Sequence, residues 1–453
     1  MGCRQISTPF FLSNTMTYQE TTEYLFNQMP MFERQGTSGY KEGLHNTKVL
    51  DKHFGHPHTH YKTIHIAGTN GKGSCSHTIA AFLQVCGYKV GLYTSPHLKD
   101  FRERIRVNGK PISEDYVVKF VENERSFFEP LHPSFFEVTT AMALKFFYDE
   151  CVDIAVIEVG LGGRLDCTNI ISPLLSIITN ISLDHTQFLG NTLAQIAGEK
   201  AGIIKDNTPV VIGEYTAETR PVFEQVADNH NAPIVFAGDV PEVMSAKLRP
   251  NGGMVYQTKH FGELTGDLSG LYQVKNANTV LTAIRILAEN RLLPGKYENP
   301  DEKAIILATR QAFRQVAKTT GLMGRWQKIS EKPLVICDTG HNVGGWVYLS
   351  KQLKSVECEN MRVVFGMVSD KDVDGVLRLL PHNAVYYFTK ANNKRAISEV
   401  ELQKMAACHG LTGHCYPTVK EAYEAAKRSA SQADFIFVGG SSYVVADFLS
   451  LSL

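Results

Sequence analysis

Two short runs, DIAVIEVG (153–160) and LLSIITNIS (174–182), are apolar at almost every position. A strand with one wet face would alternate, so these must be covered on both faces by crossover helices, which restricts the fold to a parallel α/β sheet. Each run stops at polar chemistry, the first at Glu158 and the second just before Asp184 and His185. Ligands in such sheets bind outside the carboxyl ends of the strands, so these side chains are expected to converge.

Other segments extend the pattern. YKTIHIAG reads as a strand entering a glycine-rich loop, and SCSHTIAAFLQVCG as the helix after it, ended by Gly87. KVGLYTSPH is a second strand whose polar end delivers Thr94, Ser95 and His97, and PSFFEVTTAMALKFFYDE is a long helix. Residues 234–274 are richer in glycine and short alternating runs, so irregular or antiparallel structure is expected there. VKNANTVLTAIRILAEN and AIILATRQAFRQVAKTT read as helices around the polar break 294–303. Near Gly324 a second series begins, from strand LVICD through helix VGGWVYLSKQLKS to strand DFIFVGG, enough for a small α/β domain. A chain of 453 residues is too long for one core, and two such domains with a cleft between them are the expected partition.

Composition narrows the partners. The 46 basic and 46 acidic residues cancel, so no global field favours nucleic acid or an acidic membrane. The nine cysteines are scattered with no CxxC pair, which fits a reducing compartment better than a disulfide scaffold or a structural zinc site. No apolar run is long enough to span a membrane, and MGCRQISTPF lacks a secretion signal and has Ile6 where myristoylation wants Ser or Thr. A cytoplasmic location is expected.

The loop GTNGKGS, residues 68–74, joins strand to helix. Gly68, Gly71 and Gly73 allow backbone N–H groups to point inward around an anion, and Lys72 adds a charge for outer phosphates. A standard phosphate loop has Ser or Thr directly after the lysine, whereas here Gly73 intervenes before Ser74. The loop therefore reads as a phosphate-loop variant, or as a turn that merely tightens a junction. Glu158, His185 and Ser95 offer oxygen and imidazole ligands suited to magnesium beside phosphate, against the plainer reading of hydrogen-bonded structural groups. Lys200 in AGEKAGIIK reads locally as a solvated helix lysine. Arg325 in MGRWQ could clamp a transferring phosphoryl group from the second domain, Asp338 and Asn342 in CDTGHN read as turn or cap residues, and Trp326 reads as core. The arginines of HLKDFRERIRVNG read either as a solvated charged segment or as contacts for an anion.

Taken together, GTNGKGS, YTSPHL, EVGLGGRLDCTN, LDHTQFLGNTLAQIAGEKAGI, GRWQ and DTGHN resemble, in order and spacing, the folylpolyglutamate synthases and dihydrofolate synthases, the folate branch of the Mur ligase superfamily. The resemblance spans residues 40–445. It implies a mostly parallel-sheet P-loop ATPase domain of Mur ligase type, residues 1–310, and a smaller Rossmann-like domain, residues 320–453. By the same resemblance Gly68, Thr69, Asn70, Gly71, Lys72, Gly73 and Ser74 would hold ATP phosphates, with Asn276, Arg325, Asp338 and His341 completing the ATP site. Ser95, Glu158 and His185 would place Mg2+, and Lys200 would be carbamylated into a further ligand. Ser95, His97 and Asp166 would lie on the pterin side. Lys72, Lys200, Arg325 and His341 would serve catalysis, in which an acyl phosphate made from ATP is attacked by L-glutamate. The acceptor would be dihydropteroate, a reduced folate, or both, and a monomer is expected. A Mur-type ligase for a UDP-linked peptide and a noncatalytic nucleotide module are the alternatives; TSPHL and GRLD favour folate. The chain departs from the family at Gly340 and Cys167, both usually Ala, and its first dozen residues match nothing in it.

Overall fold

The two apolar runs lie on either side of YKTIHIA, as the middle of one sheet. A computed structural model describes residues 16–30, 43–249, 252–295 and 301–451, so the first dozen residues fall outside the described part. Strands β1 (Lys62–Ala67), β2 (Val90–Tyr93), β3 (Ile105–Val107), β4 (Lys110–Pro111), β5 (Ile154–Glu158), β6 (Leu175–Ile178), β7 (Val210–Ile212) and β8 (Ile234–Phe236) form a sheet in the order β4-β3-β2-β5-β1-β6-β7-β8. All neighbours are parallel except the β2–β3 and β3–β4 pairs. Ile66 pairs with Glu158 and Ala67 with Ile178, which sets the polar ends of three strands level with the phosphate loop.

Burial on both faces explains the apolar runs. Ile154 and Val156 pack under the helix Lys72–Val85 with the helices Gln273–Glu289 and Glu302–Phe313, whereas Ala155 and Ile157 face the helices Tyr18–Gln28, Glu114–Phe128 and Phe135–Asp149. Residues 74–83 of the phosphate-loop helix are all buried, so that helix is held rigidly from every side. Between the expected irregular limits, β9 (Val243–Leu248), β10 (Met254–Thr258) and β11 (Glu263–Gly266) form an antiparallel sheet.

The second series builds β12 (Gln327–Glu331), β13 (Leu334–Asp338), β14 (Met361–Phe365), β15 (Ala384–Thr389), β16 (Gly413–Tyr416) and β17 (Phe435–Gly439) in the order β12-β13-β17-β14-β15-β16. Only β12 runs antiparallel to its neighbour. Trp326 is buried against Phe435 and Phe437, as its core reading expects. Two sequence readings are corrected. Lys200 is 5% exposed and no solvated lysine. The charged segment 97–109 is no solvated stretch either, since Arg104 and Arg106 are buried and only Arg102 keeps to surface acids, Asp100 and Glu114. No helix among the described residues is long and apolar enough to cross a membrane.

Candidate active site

The cleft forms where the carboxyl ends of β1, β2, β5 and β6 face the turn after β13. Left-handed backbone at Gly71 (φ 85°) starts the helix at Lys72, and a side chain there would run into the Asn276 amide. The loop is braced from the β6 end: Asn180 accepts from the N–H of Thr69 through its carbonyl (2.9 Å) and from that of Asn70 through Oδ1 (2.8 Å). Lys72 Nζ turns back to donate to the carbonyls of Gly68 (3.0 Å) and Thr69 (3.3 Å), and Lys200 Nζ donates to the same Gly68 carbonyl at 3.0 Å. Two cations thus share one carbonyl, and burial, with Lys72 alongside, pushes the Lys200 amine down to about 7. Ser74 Oγ accepts from Gln273 Nε2 at 3.1 Å, and Gln273 Oε1 in turn accepts from Asn276.

Glu158 is 3% exposed, and its Oε2 has no hydrogen-bond partner among the described residues. Burial pushes its carboxyl up to about 7 against the pull of Lys72 and Arg325. A buried acceptor left open at a strand end, beside a lysine-bearing anion loop, fits a divalent cation. His185 fits as well, because burial and Lys371 hold its imidazole down to about 3, and a neutral imidazole is the form that ligates a metal. Ser95 lies between them, donating its N–H to Glu158 and lining the same cleft.

Asp184 binds the two halves together. Its carboxylate meets Lys371 Nζ at 2.6 Å, Asn342 Nδ2 at 2.9 Å and His341 Nε2 at 3.6 Å, all from the second half. Burial alone would raise that carboxyl, but His341, His185 and Lys371 outweigh it and hold it far below the usual range. Asn342 Nδ2 also reaches Asn70 Oδ1 at 3.0 Å, while its Oδ1 caps the helix Val343–Lys354. Arg325 is fixed by hydrogen bonds to Thr339 Oγ1 and the Gly324 carbonyl. Asp338 accepts from the N–H groups of Trp326 and Gly340 and from Tyr272 of the first half, and burial pushes its carboxyl up.

Three lobes open from this junction. One of about 930 Å³ is lined by Lys72, Ser95, Asp184, His185, Lys200, His341, Lys371 and Arg395. A second, about 870 Å³, runs over residues 69–74 to Asn276, Tyr272, Arg325 and Asp338. The third, about 640 Å³, lies among Thr94, Glu103, Arg106, Met323 and Arg325. The sequence-predicted residues therefore meet here, with two exceptions. His97 accepts from Arg104 Nε at 2.7 Å and packs its ring near Phe26 and Phe101. Asp166 spends both oxygens on its own loop, accepting from the N–H of Leu161 at 2.8 Å and from Thr168. Both shape the wall and do not line the three lobes. Sequence reasoning missed Lys371, Arg395 and Thr339, and gave Asp184 no role although it named it beside His185.

A phosphate loop on a buried parallel sheet, a buried carboxylate and a neutral imidazole beside it, and a second α/β unit supplying Arg325 and His341 define an ATP-dependent carbon–nitrogen ligase of the Mur type. Family profiles agree, the Mur ligase middle domain matching residues 66–284 and the Mur ligase glutamate ligase domain residues 324–442. More particularly, the chain belongs to the dihydrofolate synthase/folylpolyglutamate synthase family. It is 34% identical over 371 residues to the dihydrofolate synthase/folylpolyglutamate synthase of Bacillus subtilis, covering 78% of this chain and 83% of that one. With the Escherichia coli protein of the same description it shares 32% over 394 residues, 85% of each chain. It spans only 50% of a Haloferax volcanii probable bifunctional folylpolyglutamate synthase/dihydropteroate synthase, at 31% identity over 95% of this chain. E. coli FolC in complex with DHPP and ADP has the same fold (TM-score 0.79, 30% identity, 96% of this chain and 97% of that one). So does a bifunctional folylpolyglutamate synthase/dihydrofolate synthase with Mn, AMPPNP and L-glutamate bound (TM-score 0.76, 30% identity, 96% and 98%).

Proposed function

We propose that this chain joins L-glutamate to dihydropteroate and to the γ-carboxylate of reduced folates, using ATP, through an acyl phosphate. The observation that carries the reading is the meeting, in one cleft, of Lys72, Glu158 and Lys200 from the first half with Arg325, His341 and Lys371 from the second. The acceptor carboxylate attacks the terminal phosphorus of ATP, releasing ADP; the glutamate amine then attacks the acyl carbonyl, and phosphate leaves. Residues 68–74 cradle the phosphates, Asn276 and Asp338 border the nucleotide lobe, and Lys72 and Arg325 offset the charge that builds between carboxylate and triphosphate. Glu158, Ser95, His185 and Lys200 would hold Mg2+, which supplies further charge neutralisation when bound.

Carbamylation of Lys200 belongs to the same proposal. Only a neutral amine attacks carbon dioxide, and an amine held near 7 is substantially neutral at physiological pH. Isotope-labelled bicarbonate is expected to give a carbamate carbon resonance that Lys200→Arg loses; its absence from the wild type would remove this step. The lobe bearing Lys371 and Arg395 suits the carboxylates of incoming glutamate, and the lobe near Arg106 and Met323 suits the acceptor. His341, with Asp184 near Nε2 and the Thr339 carbonyl at Nδ1 (3.1 Å), would take up the amine proton. One chain supplies every group named, so a cytoplasmic monomer is proposed.

The decisive experiment measures ADP release with Mg2+, ATP and glutamate, offering dihydropteroate or tetrahydrofolate and weighing the products. Gain of one glutamyl residue on both acceptors is expected. Turnover of one alone assigns a single branch, and no glutamate-dependent product from either would sink the folate reading.

A further inference from the structure

The segment DKHFGHPHTHYK, residues 51–62, carries histidines at 53, 56, 58 and 60, a density that ligation does not use. Two are engaged nearby: His53 pairs with Glu124 at 2.8 Å and stacks on Phe127, and His60 packs on Tyr148. The other two converge on Asp51. This carboxylate is 7% exposed and sits in the last turn of the helix His45–His53, the negative end of the helix dipole. Among the described residues its ion pairs are with His56 and His58 alone, and its Oδ1 accepts no hydrogen bond. A buried anion in that position calls for a cation, yet no lysine or arginine among the described residues supplies it.

The backbone aims both imidazoles at it. His56 adopts a left-handed conformation (φ 57°), tied by its N–H to the Asp51 carbonyl at 2.8 Å and followed by Pro57, which fixes the chain toward His58. His56 Nδ1 stands 2.6 Å from Asp51 Oδ2 and His58 Nε2 3.3 Å from Oδ1, with all three ligand atoms within 4.8 Å of one another. Ligand atoms on a tetrahedral zinc ion lie about 3.3 Å apart, so the short contact to His56 has to open by roughly 0.7 Å and the two imidazole nitrogens have to draw together by at most about 1.5 Å. His56 is 55% exposed at its side chain, which leaves an entry path and room for a water as fourth ligand.

We propose that Asp51, His56 and His58 form a three-ligand site for a zinc-class dication, separate from the ATP cleft. Two imidazoles and one carboxylate favour zinc over magnesium, which prefers an all-oxygen shell. An imidazole nitrogen must shed its proton to ligate a metal, so affinity falls as pH is lowered. An occupied site would clamp the end of this helix to the turn that enters β1, the strand carrying the phosphate loop.

The test uses the untagged full chain, stripped with chelator and then saturated with Mg2+ and AMPPNP so that the cleft is filled. Zn2+ is titrated against a chromophoric chelator, and Co2+ is followed by visible absorption. One equivalent of Zn2+ per chain and the intense Co2+ bands of a four-coordinate site are expected. His56→Gln and His58→Gln should each weaken Zn2+ by more than about 100-fold, beyond the loss of an outer-shell partner, with unchanged circular dichroism. His56 is half-exposed, so its replacement tests the site even if the His58 variant folds poorly. Failure to bind stoichiometric Zn2+, or equal affinity in the His56 variant, would overturn the proposal and leave the trio an ion pair.

Discussion

At the scale of single residues, two glycines of one loop do different work. Gly71 needs its positive φ and the space taken by Asn276, so Gly71→Ala should strain the loop by about 1–3 kcal/mol, lowering Tm and raising KM for ATP together. Gly73 has ordinary room, since an added Cβ would lie 3.4 Å from Arg325 Nη2. Gly73→Ala should therefore leave Tm unchanged and still impair ATP use, because the new methyl projects into the nucleotide lobe; thermal melts alongside KM separate the two. Lys371 and Asp184 form a buried pair, with side chains 9% and 7% exposed. Lys371→Met strands a buried carboxylate and should cost about 3–5 kcal/mol, most of it recovered in the double variant with Asp184→Asn, as denaturant unfolding would report. Glu158 and His185 were legible in the sequence because each ends an apolar strand. Lys371 was not, because it stands in the charged turn SDKDVD, and only the facing sheet makes it an active-site residue.

At the scale of elements, the strands that bear chemistry were also the easiest to read, for one reason. β1, β5 and β6 are buried on both faces, and burial is what an apolar run records. Among the strands that escaped, β12 and β16 sit at the edges of their sheet with exposed residues such as Lys328 and His414, and carry no apolar run. The arginines of 97–109 escaped for a different reason: charge reads as solvation, whereas Arg104 lies over the Phe135 ring and donates to His97. Burial also fixes an acid limit. His65 in β1 accepts or donates to Thr168, and His77 in the phosphate-loop helix bonds Thr320; burial, with Lys205 near the first and Arg106 and Arg325 near the second, holds both down to about 3. The unfolded chain takes up these protons below its ordinary histidine range while the folded chain does not. The stabilisation is thus complete above about pH 6.5 and is lost as pH falls toward 3, by about 2 kcal/mol per histidine at pH 5. Urea unfolding at pH 7.5 and pH 5 should show this slope, and His77→Gln should remove its share.

At the scale of the whole molecule, two sheets were legible as two series of strand and helix, and the cleft between them followed. Which side chains cross it did not, because the crossing bonds join residues far apart in sequence, such as Asn70 with Asn342 and Tyr272 with Asp338. We propose the division at residues 1–310 and 320–453. Residues 320–453 expressed alone should show a cooperative thermal transition with α/β circular dichroism, and a non-cooperative melt would refute an independent second domain. The order of strands in that domain carries one more consequence. The last strand of the chain, β17, lies in the middle of its sheet, between β13 and β14. During synthesis the phosphate loop leaves the ribosome early, but Arg325, His341 and Lys371 have no sheet to hold them until Phe435–Gly439 arrives. A chain that stopped before that point would carry the glycine loop of residues 68–74 without the ordered side chains that face it across the cleft.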